Sequence, residues 1–341
     1  MSDLATTPTE ADPTDLDSAM ERHRVELTGY CYRMLGSAFD AEDAVQETYI
    51  RAWRAHARFE GRSSLRSWLY RIATNVCLDQ LNAGRKRARP MDFGAPQHQA
   101  SAVLNERPEV TWLEPVPDGR VLPQTADPAE TALARESVRL AFVAALQHLP
   151  AKQRAVLILR EVLAWKADEV ARLLDTTVAS VNSALQRARA TLAGRELRAS
   201  DPVDPLDGEQ AKLLEAYLSA FEAYDITRLT TLLHEDAVLS MPPYDLWLRG
   251  HEDIAAWHLE QGIGCKGSRL VPTTANGLPA FGQYRPREDG APGYVPWALQ
   301  VLEVSQGKIV GLNAFLDTDR WFPLFDLPEQ LDETDEAQQG A

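Results

Sequence analysis

The 341-residue chain is 45% hydrophobic and 25% charged, which is ordinary for globular protein and long enough for two or three buried cores. Its three scattered cysteines, Cys31, Cys77 and Cys265, argue against a zinc site or a disulfide framework and fit a reducing cytosol. No apolar run approaches the roughly 20 residues that span a bilayer, and the acidic start MSDLATTPTEADPTDLD is no signal peptide, so the expectation is a cytoplasmic protein without membrane insertion.

The net charge of −15 speaks against a polyanionic partner until its distribution is read. Residues 1–20 hold Asp3, Glu10, Asp12, Asp15 and Asp17, and residues 326–341 hold Asp326, Glu329, Asp332, Glu333, Asp335 and Glu336, with no Lys or Arg in either tail. Between Arg51 and Arg89 the chain is strongly basic. The local field decides polyanion binding, so a nucleic-acid partner stays open.

Residues 1–20, rich in Thr, Pro and Asp, are expected to be a disordered tail. From Arg22, Leu27, Tyr30, Cys31, Met34 and Leu35 share one helical stripe that stops near Gly36. Asp40 can cap the next helix, whose buried face is Ala41, Ala44, Val45, Thr48 and Ala52. Glu42, Gln46 and Glu47 point away from that face. After the loop Gly61-Arg62-Ser63-Ser64, Leu65, Trp68, Leu69, Ile72 and Val76 make another stripe, with Ser67, Arg71 and Thr74 opposite and Asn75 on the flank. The block ends in Arg85-Lys86-Arg87-Ala88-Arg89. Arginines hold phosphates whatever the sequence, and aromatic faces such as Trp53, Phe59, Trp68 and Tyr70 give unstacked bases a resting place. Taken alone, the block also reads as two amphipathic helices with solvated arginines.

Residues 90–130, broken by seven prolines and rich in acids, read as an extended linker able to lie in a positive channel. From Glu130 a second helical block carries Val138, Ala141, Phe142, Ala145, Leu146 and Leu149 on one face. Ala167, Val170, Ala171 and Leu174 then stripe a short helix, Asp175-Thr176-Thr177 turns the chain, and Val178, Val181, Leu185, Ala188 and Leu192 stripe a second helix. That is helix-turn-helix spacing, with Thr177 as N-cap and Ser183, Gln186 and Arg187 facing outward where a recognition helix meets the major groove. Any αα-hairpin can imitate the spacing. Asp201 to Pro205 is a second linker. Beyond it come helices at Leu213 to Phe221, Ile226 to Leu233 and Ile254 to Leu259, a strand at Ala237 to Met241, and strands within Arg269 to Tyr284 and Tyr294 to Leu316. Helices followed by antiparallel strands indicate an α+β domain curved around an apolar interior.

The stretches CYRMLGSAFDAEDAVQETYIRAW, FEGRSSLRSWLYRIATN, LPAKQRAVLILREV and VNSALQRARATL, in this order and separation, resemble the extracytoplasmic-function (ECF) branch of the sigma-70 family. LLEAYLSAFEAYDITRLTTLLHEDAVLSMPP is similar to SnoaL-like domains, a cone-shaped fold shared with polyketide cyclases and ketosteroid isomerases. The resemblance implies a multidomain chain. An all-α sigma domain 2 would occupy 21–89, an acidic linker 90–130, an all-α sigma domain 4 with the helix-turn-helix 131–198, an α+β SnoaL-like domain 207–325, and an acidic tail 326–341.

It also implies residue roles. Asp40, Glu42, Asp43, Gln46 and Glu47 would dock on core RNA polymerase. Phe59, Arg62, Ser63, Ser64, Arg66, Arg71, Asn75, Arg85, Lys86 and Arg87 would meet the −10 promoter element, with the Phe59–Leu65 loop accepting a flipped base and Trp68 and Ile72 in the core. Thr177, Ser180, Ser183, Gln186, Arg187 and Arg189 would meet the −35 element, Arg189 and Arg195 through phosphates. The linker would thread the polymerase toward the RNA exit path. Core RNA polymerase and promoter DNA are the implied partners, with an anti-sigma factor or a small-molecule ligand of the C-terminal domain left open. No catalytic residue, metal or cofactor is expected.

Two other readings compete. A ligand-responsive helix-turn-helix repressor explains residues 131–325 but leaves Asp40 to Arg89 unused. A fused enzyme would need a base from His234, Asp236, His258 or Asp317, and these form no paired constellation in the sequence. The C-terminal domain is expected to regulate the sigma domains.

Overall fold

Helices form where the apolar spacing puts them. In the computed structural model, residues 13–59, 61, 63–84, 87–123, 127–193 and 208–332 are described. Helix α2 (Arg24–Leu35) ends at Gly36, whose φ of 73° suits a residue without Cβ. Helix α3 (Ala38–Ala55) buries the expected stripe of Ala41, Ala44, Val45, Thr48 and Ala52. Its cap is Ser37, whose hydroxyl accepts from the Asp40 amide, and not Asp40 itself. Helix α4 (Leu65–Asn82) is capped by Ser64 in the same way.

The start of the chain departs from expectation. Pro13–Glu21 is a helix, α1, with Leu16 and Met20 buried. Those apolar side chains lie across α3, where Tyr49 donates to the Met20 carbonyl at 2.7 Å and the Trp53 indole donates to Asp17 at 2.7 Å. The expected tail is thereby corrected for residues 13–20, because their apolar surface is covered.

The linker is corrected too. Residues 87–123 run as short turns and one helical turn, α5 (Asp118–Val121), and bury Pro90, Gln99, Trp112, Leu113, Glu114, Val116 and Val121. Proline removes amide donors and breaks periodicity, but it does not prevent an apolar run from docking. Helices α6 (Pro128–Val138), α7 (Leu140–Gln147) and α8 (Ala151–Leu157, continued by a wide turn Ile158–Val162) lead to the hairpin of α9 (Ala167–Leu173) and α10 (Val178–Ala193). The Asp201–Pro205 linker lies outside the described residues.

The C-terminal part places α11 (Gly208–Glu222), α12 (Ile226–Leu232) and α13 (His251–Leu259) over one face of a sheet of β1 (Leu233–Ser240), β2 (Trp247–Arg249), β3 (Arg269–Ala275), β4 (Leu278–Pro286), β5 (Tyr294–Ser305) and β6 (Lys308–Phe315). Strand order is β2-β1-β6-β5-β4-β3, with β1 and β6 parallel and every other pair antiparallel. Strand alternation sorts β5 between two cores. Leu302 and Val304 face the helices, while Leu299 and Val301 face helix α14 (Thr318–Leu324) and join the core of the first two helical blocks. One continuous apolar core therefore runs from α2 to the outer face of the sheet. Leu327 and Leu331 close its edge, so the expected tail from 326 is corrected as far as residue 332.

Candidate nucleic-acid and polymerase interface

Helix α3 presents its acidic side unequally. Asp43 and Gln46 are exposed. Glu47 pairs with Arg51 at 2.7 Å, and Glu42 meets Arg120 of the linker at 2.5 Å. Asp40 is buried and bound to Arg87 at 2.7 Å. Two of the five expected docking residues are thus held by partners from within this chain beyond α3.

In the expected −10 region, Phe59 stacks on Trp68 with ring centroids 4.7 Å apart, and both are half-buried. Ser63, Ser64, Arg71 and Asn75 are exposed. Arg62, Arg85 and Lys86 lie outside the described residues. Arg66 pairs with Glu26 at 2.8 Å and lies over the rings of Tyr70 and Trp165, so it faces the second helical block. Arg87 is a correction: its guanidinium is 5% exposed and bridges Asp40 and Glu114, at 2.7 and 2.8 Å. A buried guanidinium between two carboxylates is a structural tie and is not available to phosphate in this conformation.

The helix-turn-helix face is open. Thr177, Ser180, Ser183, Gln186, Arg187 and Arg189 are all exposed along α10 and its cap. Thr177 accepts from the Ser180 amide at 3.1 Å, Arg187 donates to Ser183 at 2.6 Å, and Arg189 pairs with Glu161 at 2.6 Å. Val181, Ala184, Leu185 and Ala188 hold the other side of the helix against the core. Arg195 lies outside the described residues.

The two helical blocks and the sheet meet at residues that sequence periodicity gives no reason to single out. Asn276, with φ 57° at the β3–β4 turn, is fully buried. Its amide nitrogen donates to the Tyr32 hydroxyl at 2.6 Å and to the Val138 carbonyl at 2.8 Å, while its amide oxygen accepts from Val116 N at 3.1 Å. One side chain therefore ties α2, α6 and the linker to the C-terminal domain. Glu114 adds a second tie. It binds Arg87 and, at 3.0 Å, Arg320 of α14, whose guanidinium also lies 4.6 Å from the Phe39 ring. The blocks are joined directly as well: Tyr70 and Trp165 rings lie 5.0 Å apart, Arg33 donates to Ser137 at 2.7 Å, and Arg154 donates to the Met34 carbonyl. Burial lowers both Arg33 and Arg154 to about 10, so each stays charged at neutral pH and needs these acceptors.

The four candidate enzymatic groups fall at three separate places. His234 accepts from Asp236 N, and Asp236 pairs with Arg249 at 3.0 Å at the start of β1. His258 lines a cavity of about 300 Å³ between sheet and helices. Asp317 lines a separate cleft beside Arg320. Among the described residues no group of three or more His, Cys, Asp or Glu could hold a metal ion, and no helix is long and apolar enough to cross a membrane.

Two helical units with a helix-turn-helix in the second, joined by a packed linker and followed by a cone-shaped α+β domain, define a promoter-directed transcription factor of the sigma type. Sequence models of Sigma-70 region 2, Sigma-70 region 4 and the SnoaL-like domain match residues 19–87, 139–192 and 214–312. The chain is 46% identical over 327 residues to the ECF RNA polymerase sigma factor SigG of Mycobacterium tuberculosis, covering 95% of this chain and 87% of that one. It is 26% identical to SigJ of the same organism, covering 89% and 92% of the two chains. The crystal structure of Mycobacterium tuberculosis SigJ superposes with a TM-score of 0.58 at 22% identity, over 92% of this chain and all of that one, which supports the fold. The chain belongs to the ECF family of RNA polymerase sigma factors. Sigma factors bind core RNA polymerase and promoter DNA and are not enzymes; this one adds a SnoaL-like domain.

Proposed function

We propose that this sigma factor is held closed by its own C-terminal domain, and that recruitment to polymerase requires the clasp at Asn276 and Glu114 to open. The observation that carries the reading is Asn276, which binds α2, α6 and the linker at once through a single buried amide. In this closed arrangement Asp40 is buried, Glu42 is paired with the linker, and Arg66 is turned toward Trp165. Opening releases Asp40 and Glu42 to meet the polymerase beside Asp43, Gln46 and Glu47. It also frees Arg66 to join Phe59, Ser63, Ser64, Arg71 and Asn75 in taking up a flipped −10 base. The exposed face Thr177, Ser180, Ser183, Gln186, Arg187 and Arg189 reads the −35 element with no rearrangement of its own. Base flipping costs a few kcal/mol, which stacking and hydrogen bonds in the loop must offset.

The C-terminal domain serves as a regulator, since His258 and Asp317 line different cavities and His234 and Asp236 sit at the exposed start of β1. The site of action is the cytoplasm, where the polymerase works. An anti-sigma factor, where one exists, has the exposed parts of α3 and α10 to bind. Multi-round transcription in vitro with purified core polymerase tests the clasp: Asn276→Gly and Arg320→Ala raise transcript output over the unaltered chain, and unchanged or lower output with intact promoter binding refutes it.

A further inference from the structure

The cavity inside the cone plays no part in the clasp, and its chemistry is specific. Phe221, Leu239, Met241, Trp257 and Leu312 give it an apolar wall. The polar groups of its floor satisfy one another: Tyr217 donates to Gln300 at 2.7 Å, Gln300 to Gln283 at 2.8 Å, and Gln283 to Ser268 at 3.0 Å. No Asp or Glu is among the lining residues, and Arg285 is the one Lys or Arg among them. Its guanidinium is fixed 4.0 Å from the centroid of the Trp297 ring and lies against the Gly264 backbone, where a Cβ would come within 2.5 Å of Nη2. Its nearest acid, Glu288, is 3.7 Å away and 88% exposed, a weak counter-charge. His258 is 7% exposed; its Nδ1 donates to the Ile254 carbonyl at 2.8 Å, and burial lowers its pKa, so the ring is neutral with Nε2 as an acceptor. Among the described residues that nitrogen has no partner.

We propose that this cavity binds a small, flat, apolar carboxylate, with its anionic end on Arg285 and its rings between Phe221, Trp257 and Leu312. A cation at the mouth of a low-dielectric cavity without an internal acid selects an anion, and a guanidinium already stacked on an indole loses little freedom in binding one. A volume of about 300 Å³ lies at the lower end for ligand pockets and admits a two-ring molecule rather than a steroid-sized one. A hydroxyl or N–H at the buried end of the ligand satisfies His258 Nε2. Leu104 of the linker forms part of the wall, so the occupant touches the segment that continues to Glu114.

This inference goes beyond the clasp and does not need it, because binding is read on the full-length chain without polymerase. The probes are 2-naphthoate, its neutral isostere 2-naphthamide, and 2-naphthylmethylammonium, titrated by calorimetry. We expect one naphthoate per chain, bound at least tenfold tighter than naphthamide, no detectable binding of the ammonium, and loss of the naphthoate preference in Arg285→Gln. The unaltered chain supplies a second measurement. Cys265 lines the cavity whereas Cys31 and Cys77 are fully buried, so naphthoate slows iodoacetamide alkylation of Cys265, followed by mass spectrometry, more than naphthamide does at equal concentration. Equal affinity for the three probes, undiminished naphthoate binding in Arg285→Gln, or Cys265 alkylation indifferent to naphthoate overturns the proposal. Any of these leaves the transcription result on the clasp untouched.

Discussion

Asn276 donates to the Tyr32 hydroxyl at 2.6 Å across a separation of 244 residues, and Tyr32 in turn donates to the Glu114 carbonyl at 2.6 Å. The tip of a C-terminal hairpin is thus written into the hydrogen bonding of α2, the helix that precedes α3. Asn276→Gly removes the amide while keeping a residue suited to φ 57°, so it isolates the side chain. It leaves the Val116 amide and the Val138 carbonyl without their side-chain partner, a cost of about 1–3 kcal/mol. Urea unfolding reads that loss, and hydrogen exchange should rise at Leu113 to Val116. Exchange there that matches the unaltered chain would mean that the turn rests on the linker without holding it.

Arg87 and Arg71 separate a buried, structural arginine from an exposed one. Replacing Arg87 by Met removes the guanidinium between Asp40 and Glu114 and leaves a broken buried ion pair, at a cost of about 3–5 kcal/mol. Arg71 is exposed, so Arg71→Ala should change stability by no more than about 0.5 kcal/mol. Its loss should appear in promoter opening by the holoenzyme, followed by permanganate reactivity of unpaired thymines. A stable Arg87→Met chain would remove Arg87 from the clasp.

The sequence made local geometry legible and left long-range pairing hidden. The stripe of Leu27, Tyr30, Cys31, Met34 and Leu35 is buried as its spacing requires, and Thr177 caps α10. Period and capping are properties of a few neighbouring residues, so they survive being read in one dimension. Arg87 sits in a run of basic residues that looks like a solvated edge, and Asp40 and Glu114, 47 and 27 positions away, make it a core residue. In the linker, prolines and acids masked a second signal: Trp112, Leu113, Val116 and Val121 are apolar and all are buried. Asn276-Gly277 is a hairpin signature that marks the β3–β4 turn, but nothing near it in sequence says what the tip touches.

The α10 face gives a prediction that leaves the fold alone. Arg187 is exposed and its guanidinium donates to Ser183. Arg187→Ala in the holoenzyme should cost about 1–3 kcal/mol of discrimination at one −35 position, with thermal stability unchanged. Arg189→Ala should weaken binding evenly across promoter sequences and lower its salt dependence, as a phosphate contact does. Measuring affinity for a set of singly substituted −35 sequences at two salt concentrations distinguishes the two. Uniform weakening by Arg187→Ala would reassign that residue to the backbone.

His258 makes the C-terminal domain acid-sensitive. Burial lowers its pKa below the ordinary 6.5, with the Ile254 carbonyl opposing that shift. Below pH 6.5 the unfolded chain takes up this proton while the folded chain does not, so the unfolded state binds more protons and stability falls as pH falls. The contribution is complete above 6.5 and is lost as pH drops toward the folded value. Asp118, whose carboxyl is raised by burial with the Gly277 amide opposing the shift, has the opposite slope, so the comparison must be between chains that share it. His258→Gln keeps a donor for the Ile254 carbonyl and removes the titration. Urea midpoints at pH 7.5 and 5.5 should therefore differ less in His258→Gln than in the unaltered chain. Equal differences would show that the ring reaches solvent and titrates alike in both states.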